Sequence, residues 1–561
     1  MKIRSHAGFI NQQRIGLQKL KPDIPRITVG LATCGAAVGG TAIFERLKKS
    51  IEEQGLDISL IPTGCIGYCR EEPIVTITHP GKPLVLLHKV QEEDTDKILS
   101  AVESGSVPFD KALCRIEAWD HLMGYTINYG EGFEEIPLYG EISFFGRQHK
   151  VILRDTGLIN PEDIDEFIAV GGYSAAYLAL TEMHPDQVLE EVEKSGLRGR
   201  GGAGFPAGLK WRITREKESD IKYIICNGDE GDPGAYMNRN EMESDPHMLI
   251  EGMILGAYAI GVQEGLIYIR AEYPLAIKRL KHAIEQAREY GILGPNIFGT
   301  DFSFNLQIAI GAGAFVCGES TALIASIEGR TGRPHPRPPR LTDSGLWGKP
   351  TDLNNVETWC NVPVIIKNGS DWYTTIGAPN NTGTKVFSLV GDVDRVGLVE
   401  VPLGTSLNAI VFDVGNGGAD GKQVKAVQTG GPSGGCIPAR LFNTTVDYES
   451  LNAIGTIMGS GGIVVMDEET DMVDIARYFI SFATGESCGK CIPCREGLKH
   501  LLLLLNRILA GKGTDADLVT LKDLSETIVA TSLCGLGQSA PNPVLTTLAY
   551  FREEYEELVR S

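Results

Sequence analysis

The sequence predicts a multidomain α/β protein, and three observations carry that reading. Its 561 residues exceed what one hydrophobic core supports, at about 100–200 residues per domain. Short β-branched runs alternate with helix-period segments through most of the chain. The last stretch is helical in pattern and opens on three closely spaced cysteines.

After an N-terminal extension (1–25), Arg26-Ile-Thr-Val-Gly-Leu-Ala32 reads as a buried strand that ends near Cys34. Apolar spacing at Ile43, Phe44, Leu47 and Ile51 predicts a helix over 41–54, and Ile58–Ile61, Ile74–Ile77 and Leu84–Leu87 read as further strands. A small α/β domain is therefore expected over 26–110, closing on a charged helix near 90–103. The aromatic-rich stretch 111–154 is expected to be a linker packed on its neighbours. From 155 to 382 a larger α/β domain follows, with strands at Tyr223–Cys226, Leu266–Arg270 and Leu306–Ile310 and a helix over 275–289. Inside it, 330–355 is rich in Pro and Gly and reads as loop; ordered loops of that length tend to carry function. Val386–Val390, Ala426–Gln428 and Gly462–Met466 make 383–466 a β-rich module, and 467–561 reads as helical.

The chain carries 52 basic and 72 acidic residues, a net charge of −20, which gives no basic footprint for nucleic acid. No apolar signal segment opens the sequence and no run of 18 apolar residues occurs, so neither export nor a membrane-spanning helix is expected. Twelve cysteines without an export signal indicate reduced thiols and metal ligands in the cytoplasm.

Glu486-Ser-Cys-Gly-Lys-Cys-Ile-Pro-Cys-Arg-Glu-Gly497 places Cys488, Cys491 and Cys494 two residues apart, and Cys534 follows in Ser532-Leu-Cys-Gly-Leu-Gly537. Three thiolates at that spacing converge on one small cage and a distant fourth closes it, the ligand pattern of a [4Fe–4S] cluster. A structural zinc site is the alternative, but it usually pairs two Cys-x-x-Cys units or adds histidines, and no histidine lies beside this run.

Gly196-Leu-Arg-Gly-Arg-Gly-Gly-Ala-Gly-Phe-Pro-Ala-Gly-Leu-Lys-Trp211 is dense enough in glycine for backbone N–H groups to approach a phosphate, and Arg198, Arg200 and Lys210 add positive charge. It has neither the G-x-G-x-x-G setting nor a Walker A ending. The acidic run Cys226-Asn-Gly-Asp-Glu-Gly-Asp-Pro-Gly234 would repel a phosphate, so its carboxylates are expected on sugar hydroxyls or a nicotinamide amide. Two cofactors side by side are the economical reading.

These two motifs, with Gly311-Ala-Gly-Ala-Phe-Val-Cys-Gly-Glu-Ser-Thr321, Asn354-Asn-Val-Glu-Thr358 and the cysteine run, resemble the flavin-bearing, NADH-oxidising subunit of respiratory complex I. The nearer variant is the beta subunit of electron-bifurcating hydrogenases and NAD-linked formate dehydrogenases. The resemblance spans about 155–550. It implies FMN held by Gly199, Arg200, Gly201 and Gly202 of the glycine-rich loop, and by Lys210, Asn227, Asp229, Glu230, Gly318, Asn354, Asn355 and Thr358. NAD(H) would stack over the flavin beside Phe205, Glu230 and Glu319. Position 320 is serine, where complex I commonly has glutamate. The implied folds are a thioredoxin-like N-terminal domain, a Rossmann-like FMN domain, a β-grasp module over 383–466 and a helical bundle carrying the cluster. The implied reaction is hydride transfer between NADH and FMN, then one-electron transfer through the [4Fe–4S] cluster. Implied partners are a small thioredoxin-like [2Fe–2S] subunit and a larger Fe–S catalytic subunit, a hydrogenase, formate dehydrogenase or other reductase. A non-catalytic Fe–S adaptor is the alternative.

Cys34, Cys65 and Cys69 match three of the four [2Fe–2S] ligands of the thioredoxin-like ferredoxin domain in such relatives. Val29 and Gly30 stand where the fourth is expected, and neither side chain binds iron. Either a borrowed ligand completes a [2Fe–2S] cluster or the domain is a docking platform; Cys114 is the one nearby cysteine. Cys226, Cys317, Cys360 and Cys436 read as core residues.

Overall fold

The computed structural model describes residues 2–560, so the outermost residue of the expected extension and of the expected bundle lies outside the described residues. Strands β1 (Arg26–Gly30), β2 (Ser59–Thr63), β3 (Val75–Thr78), β4 (Leu84–Leu87) and β5 (Ala112–Ile116) form a mixed sheet in the order β2-β1-β3-β4-β5. Alternation splits its side chains between two cores. Ile27, Val29, Val75, Ile77, Val85 and Leu87 pack with Ile43, Leu47, Ile98 and Leu99 of helices Thr41–Gln54 and Thr95–Glu103. Leu84, Leu86, Cys114 and Ile116 instead join the large central core.

One expectation is corrected here. The presumed linker begins with β5, which pairs antiparallel with β4, and continues into the hairpin β6 (Ala118–Asp120) and β7 (Thr126–Asn128). Much of each hairpin strand is exposed, so no apolar run marks it in the sequence. The extension is also ordered: helix His6–Leu20, capped by Ser5, lies against helix Ile164–Ala169 so closely that a Cβ on Gly16 would sit 1.8 Å from the Asp165 carbonyl oxygen.

The second sheet is parallel throughout. β8 (Tyr223–Gly228), β9 (Glu264–Arg270), β10 (Asn305–Gly311) and β11 (Thr351–Asn355) run in the order β10-β9-β8-β11. β11 corrects the loop reading of 330–355: Thr-Asp-Leu-Asn-Asn has no strand pattern, and its pairing with β8 makes it one. Helix Pro246–Ile260 is buried on nearly all sides, as its apolar circumference requires. Gly252 lets it meet helix Val356–Asn368, since a Cβ there would lie 2.0 Å from the Trp359 carbonyl oxygen.

A two-residue hairpin, β12 (Gly377–Ala378) and β13 (Asn381–Thr382), leads into the third sheet. Its strands are β14 (Thr384–Gly391), β15 (Gly397–Pro402), β16 (Val424–Thr429), β17 (Cys436–Pro438) and β18 (Gly462–Asp467), ordered β15-β14-β18-β16-β17. Lys385 on β14 and Glu357 form an ion pair with neither side chain exposed, which ties this sheet to the 356–368 helix; removing one partner alone would cost about 3–5 kcal/mol. The rest is helical, from Met472–Glu486 to Arg552–Arg560. Its core of Val473, Ile480, Leu498, Leu501 and Ile528 is continuous with Ile225, Val316 and Leu323 of the middle region, which seats the cysteine run against the parallel sheet. Among the described residues no helix is long and apolar enough to cross a membrane.

Candidate functional site

Parallel strands all open their C-terminal ends to one side, where crossover loops part and ligands bind. Here a cavity of about 870 Å³ occupies that position. Asn227 at the end of β8 and Asn354 and Asn355 at the end of β11 line it, together with Gly199, Gly201, Phe205, Lys210, Gly318 and Glu319. Nine of the sequence-predicted residues therefore meet at one place.

Each is held by local structure. Lys210, in the first turn of helix Ala207–Arg215, donates from Nζ to the Leu353 carbonyl at 2.7 Å and to Asn354 Oδ1 at 2.9 Å; burial lowers its pKa, with Asp352 opposing. Asn227 Nδ2 donates to the Gly318 carbonyl at 2.9 Å, and Asn355 Oδ1 accepts the Glu357 N–H at 3.0 Å as a helix cap. Glu319 caps helix Ser320–Ile327 through the N–H groups of Thr321 and Ala322. Phe205 is 41 % exposed at the rim.

The glycine-rich loop divides by role. The N–H groups of Gly199 and Arg200 are taken by the Phe205 carbonyl and Thr358 Oγ1, whereas those of Gly201, Gly202 and Ala203 bond nothing among the described residues. The Gly201 and Ala203 donors, whose residues line the cavity, together with half-buried Lys210, fit one phosphate. Two glycines answer a different demand. Gly202 has φ +109° and a Cβ there would lie 2.9 Å from Gly459 backbone; Gly204 has φ +63° and would place a Cβ 2.7 Å from the Tyr448 ring.

Five expected contacts lie off the cavity. Arg200 is completely buried and bonds the carbonyls of Thr384, Arg198 and Thr382 and the Tyr373 hydroxyl, so its charge braces the loop from behind. Thr358 holds the Arg200 N–H, and Gly202 is pressed on Gly459. Glu230 turns away: its carboxylate accepts the N–H groups of Asn238 and Arg239 at 3.1 and 3.0 Å, at the start of helix Met237–Ser244. Asp229 stands 3.4 Å from Arg270 with neither carboxylate oxygen hydrogen-bonded, and burial pushes its pKa up to about 7.

Sequence reasoning missed Ser320, His335, Arg337 and Arg340 on the cavity wall. Arg337 donates to Glu319 Oε1 at 2.6 Å and to the Ser320 hydroxyl. The Arg-Pro alternation of 333–340 inside a loop already suspected of function was the available signal.

Cys488, Cys491, Cys494 and Cys534 line a second, small cavity. Burial, opposed by a hydrogen bond from Ser487 and reinforced by Cys491, Cys534 and Cys488, pushes the Cys494 thiol up to about 11. Among the described residues no three His, Cys, Asp or Glu side chains are placed to hold a single metal ion. Lys490 ties the loop to the Pro334 carbonyl. Leu533 and Cys534 line both cavities, so one stretch of chain is the wall between them.

In the N-terminal sheet, Cys34, Cys65 and Cys69 also meet, hydrogen-bonded through Cys69. Arg239 Nη2 donates to Cys34 Sγ at 3.2 Å, and Tyr236 Oη lies 3.3 Å from Cys69 Sγ. Val29 points into the core and Cys114 lies on β5, at the far edge of the sheet.

Comparison with known proteins agrees with this layout. A family model for the Nuo51 FMN-binding domain matches residues 192–364, and one for the NADH-ubiquinone oxidoreductase-F iron-sulfur binding region matches 474–558. The chain is 55 % identical over 410 residues to NADP-reducing hydrogenase subunit HndC of Solidesulfovibrio fructosivorans, covering 73 % of this chain and 83 % of that protein. It is 41 % identical over 398 residues to the NADH-quinone oxidoreductase F-type subunit of Escherichia coli, covering 71 % and 89 %. The NAD-reducing hydrogenase HoxS subunit alpha of Cupriavidus necator is 40 % identical over 506 residues, 89 % of this chain and 77 % of that one. A crystal structure of an NAD⁺-reducing [NiFe]-hydrogenase in the H₂-reduced state superposes with a TM-score of 0.66 at 30 % identity, covering 98 % of this chain and 87 % of that chain. With matches this long and this similar, the chain belongs to the family that unites the F-type subunits of NADH-quinone oxidoreductase with the diaphorase subunits of hydrogenases.

Proposed function

We propose that this chain is the NADH-oxidising flavin subunit of a multisubunit oxidoreductase. It takes a hydride from NADH, or returns one to NAD⁺, and passes single electrons to partner subunits. One observation carries the reading: the nucleotide-sized cavity and the four-thiol cavity share Leu533 and Cys534 as their wall. FMN, when bound, supplies the conversion between a hydride and two single electrons. The chain's residues bind and orient. Gly201 and Ala203 would offer N–H groups to the phosphate and Lys210 its charge, while Asn227, Asn354 and Asn355 present amides at the strand ends. Phe205 and Glu319 border the side open to the dinucleotide, and Arg337 and Arg340 face its phosphates. Cys488, Cys491, Cys494 and Cys534 hold the [4Fe–4S] cluster. No side chain has to carry a proton in the hydride step.

The finer architecture belongs to the same proposal: a thioredoxin-like domain on β1–β5, a Rossmann-like FMN domain on β8–β11, a β-grasp module on β14–β18, and the cluster-bearing bundle. Its partners are a small thioredoxin-like [2Fe–2S] subunit and a larger Fe–S catalytic subunit, in the cytoplasm. Acid extraction of the anaerobically purified full chain should release one FMN, and the protein should reduce an artificial dye with NADH. Recovery of FAD, or of no flavin from folded protein, overturns the proposal; FMN without NADH oxidation returns the adaptor reading.

A further inference from the structure

We propose that Glu72 supplies a carboxylate oxygen as the fourth iron ligand of an N-terminal [2Fe–2S] cluster, whose other ligands are Cys34, Cys65 and Cys69. The inference rests on the proposed electron-transfer function and concerns only the N-terminal sheet. The short turn Cys69–Glu71 brings residue 72 back beside Cys65. A Cβ built on Gly30 would stand 3.5 Å from Glu72 Oε2, and one on Gly35 3.2 Å from the same atom. The carboxylate thus fills the space toward which a ligand at position 30 would project. Glu72 is 9 % exposed. Its Oε2 accepts the Ile74 N–H at 2.9 Å, but Oε1 has no hydrogen-bond partner among the described residues.

A buried carboxylate oxygen without a donor is costly unless a cation meets it, and iron accepts a carboxylate oxygen in mixed-ligand sites such as the two-histidine, one-carboxylate triad. The surroundings suit an anionic cluster. Arg239 donates to Cys34 Sγ and Tyr236 meets Cys69 Sγ, and hydrogen bonds to cluster sulfurs tune such centres. Tyr236 caps and Arg239 lies in the Met237–Ser244 helix whose start Glu230 holds, so the cluster would be hydrogen-bonded directly to the flavin-bearing part of the chain. A carboxylate preserves the charge of the missing thiolate, unlike the neutral imidazoles of Rieske centres.

The test uses the full-length protein, purified anaerobically and reduced with dithionite. About six irons per chain are expected, four from one cluster and two from the other, with a second electron paramagnetic resonance signal of [2Fe–2S] type. Glu72→Gln should lose that signal and about two irons while keeping FMN and the [4Fe–4S] signal, which guards against misfolding and against failure of the wider reading. Glu72→Cys should keep the irons and change the g-values and the charge-transfer absorption. About four irons in the unaltered protein, or a Glu72→Gln protein whose second signal is unchanged, overturns the proposal.

Discussion

Arg200→Lys separates two roles for a cation in the glycine-rich loop. If Arg200 neutralised a phosphate, lysine would keep the charge and most of the effect. Its surroundings describe a brace instead. The guanidinium is completely buried and donates to Thr384 O at 2.9 Å, Arg198 O at 3.0 Å, Thr382 O at 2.7 Å and Tyr373 Oη at 3.2 Å. A lysine ammonium has three donors on a flexible stem and no planar fork, so about two of those four acceptors lose their partner. A stranded buried acceptor costs about 1–3 kcal/mol, which puts the loss at about 2–6 kcal/mol. Urea unfolding of FMN-free protein, followed by tryptophan fluorescence, reads it. Trp211 and Trp359 stack with centroids 5.5 Å apart in the same region and report on its unfolding. The expected result is a lower midpoint at unchanged slope, with weaker FMN binding following from the loosened loop. An unchanged midpoint with weaker FMN binding would place the guanidinium on the phosphate and refute the brace.

Asp229→Asn should stabilise the FMN-free protein in a pH-dependent way. Burial, opposed by Arg270, holds the folded pKa near 7, above the ordinary carboxylate value, so the stability Asp229 permits is complete below about pH 4 and is lost as pH rises through 7. The variant should gain at most about 4 kcal/mol over the parent at pH 8.5, from about three pKa units, and nothing at pH 4; equal urea midpoints at both pH values would contradict this. Gly204→Ala forces a left-handed alanine at about 1–2 kcal/mol and presses a methyl on Tyr448. It should raise the FMN dissociation constant on the order of tenfold by fluorescence titration, and an unchanged constant counts against the packing argument. Cys491→Ala should abolish transfer beyond the flavin while NADH still bleaches it in stopped flow; lost bleaching with FMN still bound would reverse the proposed order.

What could be read from the chain alone was chemistry carried by local spacing. Cys488, Cys491, Cys494 and Cys534 are legible because cluster ligation demands cysteine at short intervals. Lys210, Asn227, Asn354 and Asn355 came from motifs whose residues do meet in one cavity. Strands such as Arg26–Gly30 and Gly462–Asp467 were legible because burial on both faces leaves an apolar run. Only tertiary structure decided the rest. Thr351–Asn355 is a strand because β8 pairs with it, and Ala112–Ile116 because β4 does. Arg200 and Glu230 sit in ligand-like motifs, yet their side chains point into the frame, since direction depends on which backbone groups the fold leaves needing partners. Glu72 carries no motif at all: its candidacy exists only because folding brings its carboxylate to Cys65 and to the space beside Gly30. Spacing along the chain encodes what neighbours in sequence do together; convergence of distant residues is a property of packing.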